Sequence, residues 1–397
     1  MTDPAPDNTI QVTGADSARA AVRRAREANL PLVDYGKAHA GLGHPPPARH
    51  IRVEKIGSVL EHQVRDMTVT AHAGCTLGEL QGTLAAENQF LPIDADDDLP
   101  LGEVIEHNVF GPLRAGFGGV RDMLLGLSFV SSEAELITVG GQTVKNVAGY
   151  DVTRLIVGSL GELGLLVSAT LRTWPIPAGS LTADLHLPAP ELIDTALPGW
   201  MSTEAAPAWL LMTRERDHFA VRMGWFGPSI ACHAQLRSLE TQIDRTPDIR
   251  LVSSAECPLE QSRAERAAHR AWRRDAPALV KIVVPPASTG FVCQSLASTA
   301  SGEDVRHLEA LPVHGCVFVG GELDAAAARK LDEQISHLIE PVGGLRVWHQ
   351  RPEGAENIAP FGPPQPDWPI LGRIKKALDP HGLFNPGRFL PVGETQA

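Results

Sequence analysis

Two stretches of this chain have residue types and spacing suited to holding a charged ligand. One is Lys145-Asn146-Val147-Ala148-Gly149-Tyr150-Asp151; the other is Gly158-Ser159-Leu160-Gly161-Glu162-Leu163-Gly164. A diphosphate needs several peptide N–H groups aimed at it from short range, and residues without a Cβ let the backbone come that close. Glycines as plain tight turns are the competing explanation, but their clustering with a Lys, an Asn and a Tyr between Gly102 and Gly164 favours the anion cradle. Other chemistries lack their signatures. Gly41-Leu42-Gly43 runs into Pro45, Pro46 and Pro47 instead of opening a helix, which excludes the nicotinamide fingerprint. Ser159 has Val157 two places before it, so no nucleophile elbow forms. No His-Glu-x-x-His zinc signature exists, and no metal site is expected.

The elements that must position these residues follow from periodicity. Asp16 or Ser17 caps a helix with the stripe Ala18, Ala21, Val22, Ala25, Ala28, and a strand Leu32–Asp34 follows. A glycine loop through Gly36, Gly41 and Gly43 comes next. Alternation over Met67–Ala73 predicts a half-buried strand, and Thr76 with Glu79 predicts a capping box. Strands are expected at Leu124–Val130, Glu135–Val139 and Leu165–Thr173, with the acidic run Asp94, Asp96, Asp97 and Asp98 as a solvated loop. Pro175 and Pro177 mark a boundary. Beyond it strands and amphipathic helices alternate: strands Leu181–Leu187, Trp209–Thr213 and Phe219–Trp225, then a helix Ala231–Ile243. The pattern repeats with strand Leu279–Val284, helix Phe291–Ala300, strand Val313–Val319, helix Asp324–Ile339 and strand Leu345–Trp348, an α+β unit of split βαβ kind. Pro360–Pro369 reads as a linker before a helix Ile370–Leu378.

With 397 residues, 43% of them hydrophobic, the chain is long enough for two domains with ordinary cores. A formal charge of -12 opposes nucleic-acid binding. The five cysteines include no Cys-x-x-Cys pair, which fits reduced thiols and argues against an iron–sulfur cluster on this chain. No leader and no membrane span are expected, and a cytoplasmic location follows.

The run from Arg121 to Pro177, above all "KNVAGYD" and "GSLGELG", resembles the FAD-binding half of flavoproteins of the vanillyl-alcohol-oxidase, or PCMH, type. Within that group it is most similar to the glycolate oxidase FAD-binding subunit, and "LDPHGLFNPGRFL" near the C-terminus resembles that family's return to the flavin. The resemblance implies an α+β fold: a PCMH-type FAD-binding domain of two α+β subdomains over 1–177, an α+β cap with a mostly antiparallel sheet over 178–357, and a linker and return segment over 358–397. It places a first phosphate loop on Gly36, Lys37 and Gly41, and a second on Gly102, Asn108, Gly111 and Arg114. Lys145, Asn146, Gly149, Tyr150 and Asp151 would line the flavin side, Gly158, Ser159, Gly161 and Gly164 the adenine side, and Asn385 the ring. The implied activity is oxidation of a small 2-hydroxy acid such as glycolate in a complex. Its implied partners are a larger flavin subunit and an iron–sulfur subunit, with any membrane contact made peripherally through them.

The chain departs from the family pattern in both loops. The first offers only Gly36 before Lys37. The second has Glu103 after Gly102, with Glu106 and His107 where small residues are usual. At ~5 Å and an effective dielectric of ~20, one carboxylate repels one phosphate charge by ~3 kcal/mol. No catalytic base is assigned: His314, and His349 with Arg351, are candidates better read as partly buried structural residues. Arg263, Arg266, Arg270, Arg273 and Arg274 form a solvated or partner-binding helix face. The alternative is therefore a non-catalytic subunit with eroded cofactor loops that stabilises a flavoprotein partner.

Overall fold

The computed structural model describes residues 9–34, 42–44, 47–141, 152–202, 205–216, 218–246, 248–299 and 307–389. They divide into two compact units, one of Met1–Phe110, Gly118–Ile176 and Pro364–Ala397, the other of Gly111–Phe117 and Pro177–Pro363.

In the first unit, β1 (Thr9–Val12), β2 (Leu32–Asp34) and β3 (Ile51–Lys55) form a parallel sheet of order β1-β3-β2. The helix α1 (Ala15–Ala28) connects β1 to β2 and buries Ala18, Ala21, Val22 and Ala25, small side chains that let its axis lie close to the strands. It starts one residue earlier than Asp16. Gly14 is the cap, and Ser17 Oγ accepts from the Thr13 and Gly14 amides at 2.9 and 3.1 Å. Ala28 is exposed, because the helix is already turning out through Asn29 at φ 49°. A second, antiparallel sheet joins β4 (Val59–Gln63), β5 (Thr68–His72), β7 (Leu124–Val130), β8 (Leu136–Gly140) and β9 (Leu165–Arg172) in the order β4-β5-β9-β7-β8, while β6 (Gln89–Phe90) pairs with β10 (Trp174–Pro175). The capping box opens α2 (Leu77–Ala85), with Glu79 N donating to Thr76 Oγ1 and Thr76 N to Glu79 Oε2. The acidic run meets the solvated-loop expectation at Asp97 and Asp98, which are exposed, and corrects it at Asp94. Asp94 is buried at 4% exposure, and the Asp97 carbonyl accepts from Gly78 N at 2.8 Å, because the run packs on the start of α2.

The second unit is one eight-stranded antiparallel sheet. Its strands are β11 (Ser180–Leu187), β12 (Trp209–Arg214), β13 (Phe219–Phe226), β14 (Arg250–Cys257), β15 (Ala278–Val283), β16 (His307–Leu311), β17 (Cys316–Gly321) and β18 (Leu345–Gln350), in the order β14-β11-β13-β12-β16-β17-β15-β18. Each half is a β–α–β–β–α–β repeat, and the halves join at β12 and β16 through Met212↔Ala310 and Thr213↔Glu309. Buried side chains from the strands and from the helices Leu192–Trp200, Ser229–Ile243, Thr289–Thr299 and Ala325–Ile339 form its core. Two strands were not anticipated, β14 and β16, and the strand expected at Val313–Val319 is interrupted. A 3₁₀ turn at Pro312–His314 and Gly315 at φ 63° separate β16 from β17, since proline at the turn's start cannot donate into a ladder. β14 escaped because nearly all of it is exposed, which leaves no burial period to read.

Candidate buried charge site

The centre of the first unit is a lysine. Lys55 ends β3 and is inward-facing, and its Nζ lies 2.7 Å from Glu106 Oε2 and 3.0 Å from Asp34 Oδ2. Side-chain exposure is 3% for Lys55 and 4% for Glu106, against 19% for Asp34, so water compensates only the last. Asp34 ends β2, where the chain enters the first glycine loop, and Glu106 ends α3 (Leu101–Glu106), all six of whose residues are buried. Lys55 therefore ties the root of one expected loop to the other.

Gly102 is explained by this arrangement. A Cβ there would stand 3.1 Å from Ala73 Cβ and 3.3 Å from Lys55 Nζ, and its own amide donates to the Ala73 carbonyl at 2.7 Å. The glycine makes room for an ammonium, and its N–H is already engaged. Just beyond α3, Asn108 takes the left-handed conformation at φ 49°. The Gly158–Gly164 turn docks on the helix end: Gly158 N donates to the Ile105 carbonyl at 3.0 Å and Leu160 N to the Glu106 carbonyl at 2.8 Å. Gly161, at φ 69°, has no space for a side chain, since a Cβ would meet Asn385 Nδ2 at 2.5 Å. Gly164 is likewise filled by Phe129 at 2.5 Å.

Asn385 closes the site from the C-terminal segment. Its amide donates to the Leu32 carbonyl, its Oδ1 accepts from Asp34 N and its Nδ2 donates to the Leu160 carbonyl, each at 3.0 Å. The return segment is held in turn by Lys375, whose Nζ donates to Asp379 Oδ2 at 2.6 Å and to the Phe384 carbonyl at 2.8 Å. Arg388 donates to the Asp34 carbonyl at 2.9 Å, and Phe389 N to Glu162 Oε1 at 2.7 Å. Asp34, Lys55, Glu106, Gly161 and Asn385 face a cavity of ≈ 10 Å³, room for about one water.

Charge is unbalanced here. Burial drives the Glu106 carboxyl up to about 7, with Asp34 and Glu103 adding to the rise and Lys55 opposing it. Burial works against a charged Lys55, yet the Glu106 and Asp34 carboxylates hold its pKa above the usual lysine value. His107 is pushed down to about 3 by burial and by Arg388, and is neutral at physiological pH. Burial raises Glu162 against Lys375 and Arg388.

Of the residues singled out in the sequence, the fold brings Gly102, Asn108, Gly158, Ser159, Gly161, Gly164 and Asn385 into this one region. Gly36, Lys37, Gly41, Lys145, Asn146, Gly149, Tyr150 and Asp151 lie outside the described residues. Gly111 and Arg114 belong to the second unit, where Arg114 lies near enough to Lys281 and Cys316 to act on their titration. Lys55 and Asp34 were missed. The only signal was a charged residue at the end of each of two short strands, Leu32–Asp34 and the alternating Ile51–Lys55.

The arginine face of the helix Leu259–Asp275 also needs correction, because it is not simply solvated. Arg266 is buried at 5% exposure, donates to Ser262 Oγ at 2.8 Å, and places its guanidinium 5.6 Å from the Trp209 ring. Arg273 lies 4.3 Å from the Phe318 ring and 3.5 Å from Glu309, a buried carboxylate that also takes Trp272 Nε1 at 3.1 Å. Of the histidine candidates, His349 is buried at 6% exposure, and Arg351 donates to the Ile358 carbonyl.

The FAD binding domain family matches residues 6–154. Over 375 residues, 93% of this chain and 95% of the relative, the chain is 25% identical to glycolate oxidase subunit GlcE of Escherichia coli (strain K12). It is 25% identical to a D-2-hydroxyglutarate dehydrogenase of Xanthomonas citri pv. viticola, covering 87% of this chain and 80% of that protein. With the mitochondrial cytochrome D-lactate dehydrogenase of Arabidopsis thaliana it shares 29% identity, over 50% of this chain and 35% of the relative. Among solved structures, an alkyldihydroxyacetonephosphate synthase superposes with a TM-score of 0.70 at 16% identity, covering 97% of this chain and 77% of the other.

Proposed function

From the premise that this chain is a flavoprotein, with an FAD binding domain matched over residues 6–154 and FAD as its cofactor, we propose that it is the FAD-binding subunit of a multi-subunit dehydrogenase for small 2-hydroxy acids, glycolate first among them. The observation that carries this reading is the meeting of α3, the Gly158–Gly164 turn and the Asn385 return in one region, in a chain alignable with GlcE over nearly its whole length. The described residues fit the cofactor at the glycine turn. There the Ser159 Oγ is buried with no hydrogen-bond partner among the described residues, an orphaned hydroxyl that an acceptor on a ligand would satisfy. At α3 the fit carries a charge cost, because Glu103 and Glu106 are both buried.

When bound, FAD supplies a hydride acceptor. The chain's own part is to hold it. Ser159, Gly158 and Asn108 would line the cradle, with Gly36, Lys37, Gly41 and Lys145–Asp151 contributing as the resemblance implies. Gly161, Gly164 and Asn385 keep the turn and the return segment in register, and Lys55 fixes the two loop roots. Electrons would leave toward an iron–sulfur partner, and a larger flavin subunit would share the complex in the cytoplasm. No helix of the described residues is long and apolar enough to cross a membrane.

The buried Lys55–Glu106 pair favours a second reading, a subunit that stabilises a catalytic flavoprotein without doing chemistry. An absorbance spectrum of the purified chain separates the two: flavin bands support the first, and colourless protein that takes up no added FAD overturns it. Co-purification with a larger flavoprotein and a cysteine-rich protein, followed by glycolate-dependent dye reduction, tests the complex.

A further inference from the structure

Asp34, Glu103, Glu106 and Glu162 all act on the Arg388 guanidinium, while Lys55 is shared between Asp34 and Glu106. Among the described residues, the charged groups around Glu106 are thus Lys55 from β3, Asp34 from β2, Glu103 from its own helix, and Arg388 from the return segment. Glu162, on the adjoining turn, is engaged with the Phe389 amide. Among the described residues, these four carboxylates face Lys55, Arg388 and, through Glu162, Lys375. His107, next along α3, is held neutral and adds no further cation.

A dinucleotide adds a diphosphate to this region, and burial leaves little water to screen it. The added repulsion is relieved by neutralising a carboxylate that lies deep and whose ionisation burial already opposes. Asp34 is partly hydrated, so water screens it. Glu106, at 4% exposure and with its one ammonium shared, is the group that yields.

We propose that FAD binding to this chain takes up one proton, held on the Glu106 carboxylate, so that the cofactor is retained at and below neutral pH and its affinity falls as pH rises. The inference rests on the FAD reading above. FAD's diphosphate stays ionised throughout the neutral range, so the pH dependence originates in the protein. Titration of Glu106 to about 7 in the free chain supports the same window. If only the protonated form binds, Kd rises about tenfold per pH unit above that point and levels below it.

The test is titration of the deflavinated full chain with FAD between about pH 6 and 9 by flavin fluorescence, with calorimetry in buffers of different ionisation heat. Expected are a tenfold weakening per pH unit on the alkaline side, uptake approaching one proton near pH 8, and loss of both in Glu106→Gln. Glu103→Gln should keep the slope. Flavin bound with no proton uptake by the wild-type chain overturns the proposal while leaving the FAD reading intact, and so does a slope that persists in Glu106→Gln or vanishes in Glu103→Gln. No flavin bound at any pH overturns both. The wild-type calorimetry decides the matter even if the Glu106 variant fails to fold.

Discussion

Replacing Lys55 with Met keeps a chain of similar length in the buried slot and removes the ammonium that sits 2.7 Å from Glu106 and 3.0 Å from Asp34. Asp34 is 19% exposed and regains water, so its lost pair costs about 1 kcal/mol at most. Glu106 is 4% exposed and has no such outlet; without Lys55 it protonates. In the wild-type chain that carboxyl titrates near 7, against an unfolded value of 4.5. A carboxyl whose folded pKa is raised favours the fold below its unfolded pKa and loses that contribution as pH rises toward the folded one. The wild-type loss therefore falls between pH 4.5 and about 7. In Lys55→Met the folded pKa rises further, so the loss continues above 7 at about 1.4 kcal/mol per pH unit. The variant should be about 1 kcal/mol less stable than wild type near pH 6 and about 3 to 4 kcal/mol less stable near pH 9, within the range for breaking a buried pair. Urea unfolding of both proteins across that span measures it. A stability difference that stays flat with pH would refute the reasoning, because Glu106 would then not be the group that Lys55 keeps ionised.

Asn385→Ala removes two side-chain hydrogen bonds in a buried position and puts Ala at φ 39°, so a loss of about 2 to 3 kcal/mol in denaturant unfolding is expected. Asn385→Gly should recover a few tenths of that, since glycine tolerates the backbone. Gly161→Ala, at φ 69° and aimed at Asn385 Nδ2, should cost about 1 to 3 kcal/mol and weaken FAD binding, read by flavin fluorescence. All five cysteines are buried and unpaired, with Cys75 raised to about 11 by burial first. The native chain should accordingly react with a thiol reagent far more slowly than the unfolded chain, and fast native labelling would contradict that burial.

Local signals made much of the architecture legible. Thr76 and Glu79 specify their capping box within four residues, and the strand Leu124–Val130 lies where its apolar run placed it. The repeated α+β pattern after Pro177 is the duplicated half-sheet. The site was legible as a set of glycines with Asn108, Ser159 and Asn385. What those glycines accommodate was not: Lys55, Asp34 and Glu106 are brought together across 21 and 51 positions of chain by the pairing of β2 with β3 and the docking of α3. A lysine after an alternating strand reads as solvent-facing until a helix covers it. The arginines of Leu259–Asp275 failed for the reverse reason, because Arg266 and Arg273 lie over aromatic rings of the sheet that no helical period reveals.

The seam of the eight-stranded sheet gives it a built-in line of weakness. Among the described residues two pairs join the halves, whereas the ladders β11–β13 and β15–β17 run for eight and six. With so few pairs crossing the seam, hydrogen exchange should wear through first at Met212 and Thr213 while the flanking ladders hold. The domain would part along that line as two leaves rather than fray from its outer strands inward.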